Sequence, residues 1–356
     1  MKKLLLLNDT RMAGHHGSSA VVDVIYSEFA RRGFSVASHQ QQPVRPDQLA
    51  ARGFDAVVVN GEGSMHGGQR SARFIAEFAE AASDRGVPVF LINTVFNEHD
   101  RDIVARVRRF RAIYCRESKS AEVLRGYGIA AEVCPDLTYA AEVDERLAWQ
   151  PGERVVVLDT ALAHKNRTLY AFAARHDLPF LPIRTSPELV RLGSARNVSR
   201  IVRFNAAKYA GKLLRRSYAL NRYSNAVGRR NDFLRRISDR TRVVIAGRFH
   251  GVCFCMKVGV PFLAIASNTH KIEGMLQDAG LGHRMLDIGE LDLDVIAGKA
   301  AWSSEDERRR ASYVATAKAD IARMFDGIAQ HIAEPVRWRT VGWERPRLPL
   351  AAGAAG

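Results

Sequence analysis

The residues best suited to chemistry stand where apolar runs end. Val243-Val244-Ile245-Ala246-Gly247 delivers Arg248-Phe249-His250-Gly251, and a helical pattern opens directly after it. Arginine offers a planar fork for a carboxylate or phosphate, histidine supplies a proton near neutral pH, and a helix start adds partial positive charge. Together they favour a small dianion. The next apolar run, Phe262–Ala266, ends in Ser267-Asn268-Thr269-His270-Lys271, a second cationic and hydrogen-bonding loop. A structural Arg–His pair is the competing reading of Arg248 and His250.

Two further loops sit near the beginning. Asn8 to Ser19 is polar and Gly-punctuated and carries the adjacent histidines His15 and His16; Ser18 or Ser19 reads as a helix N-cap. Free backbone N–H groups at such a helix start can hold an anion or a sugar hydroxyl. The second loop, Asn60-Gly61-Glu62-Gly63-Ser64-Met65-His66-Gly67-Gly68, has four glycines in the eight residues 61–68, which let the backbone turn tightly against a ligand. Glu62, between two of them, is placed to accept a hydroxyl proton or to grip hydroxyls. Asn8, Asp9, His15, His16, Gly61, Gly63, Ser64 and His66 form the expected acceptor-side set.

Alternating strand and helix patterns must position these loops. Strands are expected at Lys3–Leu7, Phe34–Ser38, Ala56–Asn60, Val87–Asn93, Ala112–Arg116 and Glu132–Cys134, with helices at 18–32, 70–85, 99–109 and 118–127. After a polar stretch closing with Trp149-Gln150-Pro151-Gly152, the alternation resumes. Strands are expected there at 154–159, 178–183, 242–247, 261–266 and 284–288, and helices at 167–176, 250–257, 270–279 and 304–332. The expected architecture is α/β: two Rossmann-like domains facing a cleft, GT-B-like, spanning 1–145 and 153–333, with a basic helical insert at about 186–240 and a tail over 334–356. Ligands in open parallel sheets sit beyond the carboxyl ends of the strands, which is where all four loops fall.

Composition narrows the class. At 356 residues, 47% hydrophobic and 26% charged, the chain is globular rather than disordered or collagenous. Four cysteines without paired spacing exclude a disulfide framework or structural zinc and fit a reducing cytosol. The leucine run at the start is too short for a signal peptide, and no run is long enough to span a membrane. A cytoplasmic protein is expected. The net charge of +15 is concentrated: residues 200–242 hold 13 Lys/Arg against Asp232 and Asp239, an excess of 11. Such a segment attracts anionic lipid, polyphosphate or nucleic acid, the competing reading being a solvated Arg-rich helical face; peripheral attachment to the inner face of a membrane is the expectation, with apolar Phe233, Leu234 and Ile237 among the residues of a helical stripe. Nucleic acid is not expected as a partner, and no metal-ligand spacing is present.

The chain resembles the polysaccharide pyruvyl transferase family. The resemblance rests on Gly247-Arg248-Phe249-His250, then Gly259-Val260-Pro261, the Asn268–Lys271 loop and Gly280-Leu281. Cys115-Arg116-Glu117-Ser118-Lys119-Ser120, Cys134-Pro135-Asp136 and the turn at 60–63 support it. It implies a GT-B-like transferase that moves the enolpyruvyl carbons of phosphoenolpyruvate onto a cell-surface glycan or its lipid-linked precursor as a ketal. No cofactor is implied beyond that donor. Arg248, His250, Gly251, Asn268, His270, Lys271 and Arg116 are carried over as donor contacts, with His250 as proton donor; Glu62 or a loop histidine would take the hydroxyl proton. The chain departs from the family pattern at Glu62 and at His15-His16-Gly17.

Two rivals follow from the same residues. A GT-B glycosyltransferase would use Arg248 and Lys271 to hold the diphosphate of a nucleotide sugar, or the carboxylate of a sugar acid. A non-enzymatic membrane or nucleic-acid adaptor would rest on the basic segment alone, and loss of Arg248 would then matter no more than loss of Arg215.

Overall fold

The computed structural model describes residues 1–184 and 225–333, together with Val202 and Ala206. Most of the basic insert and the whole tail over 334–356 lie outside the described residues.

Six strands form the first sheet: β1 (Lys2–Leu7), β2 (Phe34–Ser38), β3 (Ala56–Glu62), β4 (Val89–Thr94), β5 (Ala112–Cys115) and β6 (Glu132–Val133). Their order is β2-β1-β3-β4-β5-β6, and every pairing is parallel. Helices α1 (His16–Arg31), α2 (Arg70–Ser83), α3 (Arg101–Val107) and α4 (Ser118–Gly126) cross between these strands. The second sheet holds β7 (Arg154–Thr160), β8 (Phe180–Leu181), β9 (Thr241–Gly247) and β10 (Phe262–Ala264) in the order β10-β9-β7-β8, again parallel. With it come α5 (Ala163–Arg175), α6 (Arg230–Ser238), α7 (Phe249–Val258), α8 (Lys271–Asp278), α9 (Leu293–Lys299) and α10 (Ser304–Ala333). The chain is α/β with two Rossmann-like sheets, as its alternating pattern predicts.

The central strands bury both faces, so their side chains sort by parity between cores. Leu4 and Leu6 join one cluster, whereas Leu5 and Leu7 join another that fills the opposite face of the first sheet. Val156, Leu158, Val244 and Ala246 join the cluster of Leu4, while Val157, Val243 and Ile245 face a third. The first cluster thus runs through both sheets. α10 contributes Ile321, Phe325 and Ile328 to it, and Phe325 meets Phe29 of α1 edge-on at 5.0 Å. Burying a Leu or Phe side chain stabilises by roughly 1.5–3 kcal/mol, so this shared apolar layer is what holds the two sheets in fixed register.

Three expectations are corrected. The stretch 284–288 is not a strand: Gly282–Arg284 is a 3-10 turn, and only a single parallel bridge, Ala264 to Met285, remains. The buried Arg284 side chain donates to the carbonyls of Phe262, Ala300 and Ala301, and these bonds hold the segment as a turn. α1 begins at His16, with His15 rather than Ser18 or Ser19 as N-cap. Phe233, Leu234 and Ile237 of α6 pack into the protein's own core and are not available to a membrane; Arg235 and Arg236 stay exposed.

Candidate functional site

Both sheets place polar residues at their topological switch points, where neighbouring strands send their crossovers in opposite directions and leave a crevice. In the second sheet that point lies between β7 and β9. Asp159 is the last residue but one of β7, and Arg248 follows β9 as N-cap of α7. Arg248 Nε donates to Asp159 Oδ2 at 2.8 Å, while Asp159 Oδ1 accepts from the Ile183 amide at 2.9 Å. The carboxylate therefore fixes the guanidinium by one edge. Gly247 is required beside it, because a Cβ there would stand 2.6 Å from the Thr160 side chain.

The first sheet delivers a second arginine to the same place. Arg116 follows β5, is 2% exposed, and lies over the Phe249 ring of α7 at 4.2 Å. Its Nη1 is 3.4 Å from Asp136 Oδ2, and His250 Nε2 is 3.4 Å from that same oxygen. The other Asp136 oxygen accepts from the Thr138 amide and hydroxyl at 2.9 and 2.6 Å. The His250 contact is an ion-pair separation without hydrogen-bond alignment, and His250 Nε2 and Arg116 Nε are both buried without a hydrogen-bond partner. Buried polar groups without a partner are uncommon. Burial opposes the Asp136 charge, but His250 and Arg116 outweigh it and hold the carboxyl far below its usual range.

Further contacts close the two halves around this cluster. Gly17 of α1 abuts His250 so closely that a Cβ would stand 2.2 Å from the ring. His15 meets the His250 ring edge-on at 5.3 Å, and pairs with Arg184 after β8. On the other flank, His270 Nε2 lies 3.5 Å from Glu117 and 3.3 Å from Ser120 Oγ. Asn268 Nδ2 reaches His66 Nε2 at 3.4 Å. Lys271 Nζ bonds Thr269 Oγ1 at 3.3 Å and also donates to Asn268. Burial, with Arg116 and Arg248 nearby, pushes the Lys271 ammonium down to about 7. His66 is lowered too, chiefly by burial and then by Lys271.

Thus Arg248, His250, Gly251, His270, Lys271, Asn268, Arg116, His15 and His66 are brought together. Glu62 takes part through α1. It ends β3 at the first sheet's switch point and accepts from Thr10 Oγ1 at 2.7 Å, Ser18 Oγ at 3.0 Å and Asn60 Nδ2 at 3.1 Å. Asn8, which directly follows β1, donates to Asn60 O at 2.6 Å and Ser64 Oγ at 3.0 Å. Asn8, Glu62 and Asn93, after or at the ends of three adjacent strands, have φ of 65°, 37° and 54°. Such left-handed backbone costs about 1–3 kcal/mol for a non-glycine residue and concentrates at functional sites. Gly61 is needed for close approach, since a Cβ would meet Thr94 at 2.4 Å, whereas Gly63 has open space around it.

Two residues fall outside. His16 is 1% exposed, packs on Phe233 at 5.1 Å, and burial with Arg230 lowers its pKa to about 4. Asp9 pairs with Arg11, whose guanidinium lies over Tyr26. The N–H groups at the start of α1 are not free for a ligand, because His15 Nδ1 accepts from Gly17 and Ser18. His250 lies within the packed interior, 7% exposed. Asp136, Glu117 and Ser120, which the sequence offered only within the motifs that support the resemblance, and Asp159, which it did not single out, complete the cluster. Asp159 and Asp136 stand directly after apolar or strand residues, the same signal that marks Arg248. Among the described residues, no group of three or more His, Cys, Asp or Glu side chains is placed to hold a metal ion.

No curated protein matches the chain. Solved structures with similar architecture include MurG of Acinetobacter baumannii, at 10% identity and TM-score 0.47, covering 93% of this chain and 99% of that one. The UDP-GlcNAc 2-epimerase of Methanocaldococcus jannaschii is 11% identical, with TM-score 0.46 and coverage of 93% and 100%. An uncharacterised protein of Klebsiella pneumoniae is 10% identical, with TM-score 0.45 and coverage of 80% and 92%. The polysaccharide pyruvyl transferase family model, in contrast, matches residues 11–269, from the loop before α1 through Arg248 and His250 to the residues preceding Lys271. The chain belongs to the polysaccharide pyruvyl transferase family and is a transferase.

Proposed function

We propose that the chain transfers the enolpyruvyl unit of phosphoenolpyruvate to two hydroxyls of a glycan, forming a cyclic ketal. One observation carries the reading: His250 sits at the start of α7 against the ionised Asp136, with Arg116 and Arg248 beside it. A carboxylate supports an imidazolium that must give up a proton, and the two guanidinium groups suit the carboxylate and phosphate of the donor.

In this reading His250 protonates the methylene carbon of phosphoenolpyruvate, leaving an oxocarbenium-like centre at the adjacent carbon. A sugar hydroxyl attacks that carbon and loses its proton. The C–O bond to phosphate then breaks, and a second hydroxyl closes the ring with loss of its own proton. One of the two protons restores His250 and the other leaves with phosphate. Glu62 takes up a hydroxyl proton transiently, through Ser18 or Thr10, whose hydroxyls already bond to it, and passes it on to His250 or to the departing phosphate. Arg248, Arg116 and Lys271 hold the anion throughout, an electrostatic contribution commonly worth several kcal/mol in such sites. The acceptor is a cell-surface glycan or its lipid-linked precursor, with the arginines of 200–242, Arg235 and Arg236 among them, drawing the enzyme to an anionic membrane face.

Calorimetric titration with phosphoenolpyruvate against a panel of nucleotide sugars tests the donor. Saturable binding of phosphoenolpyruvate, lost in Arg248→Gln, is expected; binding of a nucleotide sugar alone would make the chain a glycosyltransferase instead.

A further inference from the structure

The proposed chemistry leaves open which loop group takes protons and which only gives hydrogen bonds. His15 is the informative residue. It caps α1 with its own ring: Nδ1 accepts from the Gly17 amide at 3.1 Å and the Ser18 amide at 3.3 Å. A ring nitrogen that accepts cannot carry the proton, so the proton resides on Nε2. The helix start adds partial positive charge at Nδ1, which disfavours protonating it. The charged and titratable groups that act most strongly on the ring are basic: His250 and Arg248 of α7, the adjacent His16, and Arg184 after β8; the nearby Asp159 carboxylate is engaged by Arg248 and the Ile183 amide. Burial and these neighbours hold its pKa well below that of a free imidazole.

We infer that His15 is a permanently neutral hydrogen-bond donor, presenting Nε2–H beside His250 to an anionic oxygen of the substrate, and is not the base that removes a hydroxyl proton. The geometry divides the labour between two adjacent rings. His250, whose buried Nε2 lacks a hydrogen-bond partner, moves the proton. His15 contributes a dipole that does not repel an imidazolium 5.3 Å away, as a second charged ring would. A carboxylate or phosphoryl oxygen meets the same N–H, so the inference rests on the anion-transfer reading of the site but not on which anion is transferred. It also leaves Glu62 as the loop group able to accept the proton.

Two measurements on the full chain test this. Histidine-selective 15N spectra, with His15 assigned through His15→Asn, should show Nε2 protonated and Nδ1 bare, unchanged from about pH 5.5 to 8.5, a range in which an ordinary imidazole of pKa near 6.5 would titrate. An Nδ1-protonated ring, or one titrating near 6.5, overturns the inference. The second measurement is calorimetry with inorganic phosphate and with phosphoenolpyruvate. His15→Asn keeps a helix cap, since Asn is among the best N-cap residues, but loses the reach of Nε2. Its melting temperature should stay near that of the wild type while affinity for both anions falls about tenfold, the scale of one charge-assisted hydrogen bond. Wild-type affinity in that variant overturns the donor role. Should phosphate bind in a His15-dependent manner while phosphoenolpyruvate does not bind, the pyruvyl reading fails and the assignment of His15 stands.

Discussion

Gly17→Ala is the sharpest probe of how the two halves are seated. A Cβ on Gly17 would stand 2.2 Å from His250 Cγ and 2.4 Å from both Cβ and Nδ1. Carbon atoms pack comfortably at about 3.5–4.0 Å, so the ring must retreat by roughly 1 Å or more. Little room exists for that retreat: His250 Nε2 faces Asp136 at 3.4 Å, and the Phe249 ring lies 5.6 Å away. Overpacking of this kind costs about 1–3 kcal/mol. Replacing glycine by alanine within a helix returns about 0.5–1 kcal/mol, and Gly17 lies in the first turn of α1. The net loss of stability should therefore be at most about 2 kcal/mol, a shift of a few degrees in melting temperature. Catalysis should suffer more, because a displacement of about 1 Å at a proton donor costs on the order of a hundredfold. Gly63→Ala is the matched control, since nothing lies within 4 Å of its added Cβ. Steady-state kcat/KM with thermal melts of both variants gives the comparison. A Gly17→Ala enzyme with wild-type kcat/KM and an unchanged melt would refute the reasoning, because His250 would then not rest against α1 in the working enzyme.

Lys271 should leave a pH signature. Its pKa falls from about 10.4 in the unfolded chain to about 7 in the fold, so between those values the unfolded state holds a proton that the folded state lacks. Stability should therefore rise with pH from about 7 to 10, and Lys271→Met should flatten that rise in denaturant melts. Anion binding needs the charged amine, so affinity for phosphoenolpyruvate should weaken above pH 7 in the wild type and stay level in Lys271→Arg. Asp136 acts with the opposite sign. Its depressed pKa stabilises the fold above the unfolded value of about 3.9, and that contribution is lost as pH falls below it. Asp136→Asn should lower stability at neutral pH and flatten the acid limb below about pH 4; an unchanged limb in urea melts would show that Asp136 is not ionised between His250 and Arg116.

Much of this molecule was legible in its sequence because the signals were local. Alternating apolar runs specify parallel strands buried on both faces, and Val243–Gly247 followed by Arg248 and His250 marks a strand end opening a helix whatever surrounds it. The rule that ligands gather beyond strand ends made Arg248, Lys271, His15 and Glu62 candidates from one chain of letters. Tertiary structure decided what each group faces. His15 and His16 are neighbours in sequence, yet the turn into α1 sends one ring to His250 and the other against Phe233. Asp136 gained its role only when β6 and α7, more than a hundred residues apart in the chain, met across the two sheets. The segment at 284–288 has strand-like alternation, but long-range bonds from Arg284 to three carbonyls override it. Pattern reads periodicity, which is a property of neighbours along the chain; burial and partnership depend on which distant surfaces close together, and no local spacing encodes that.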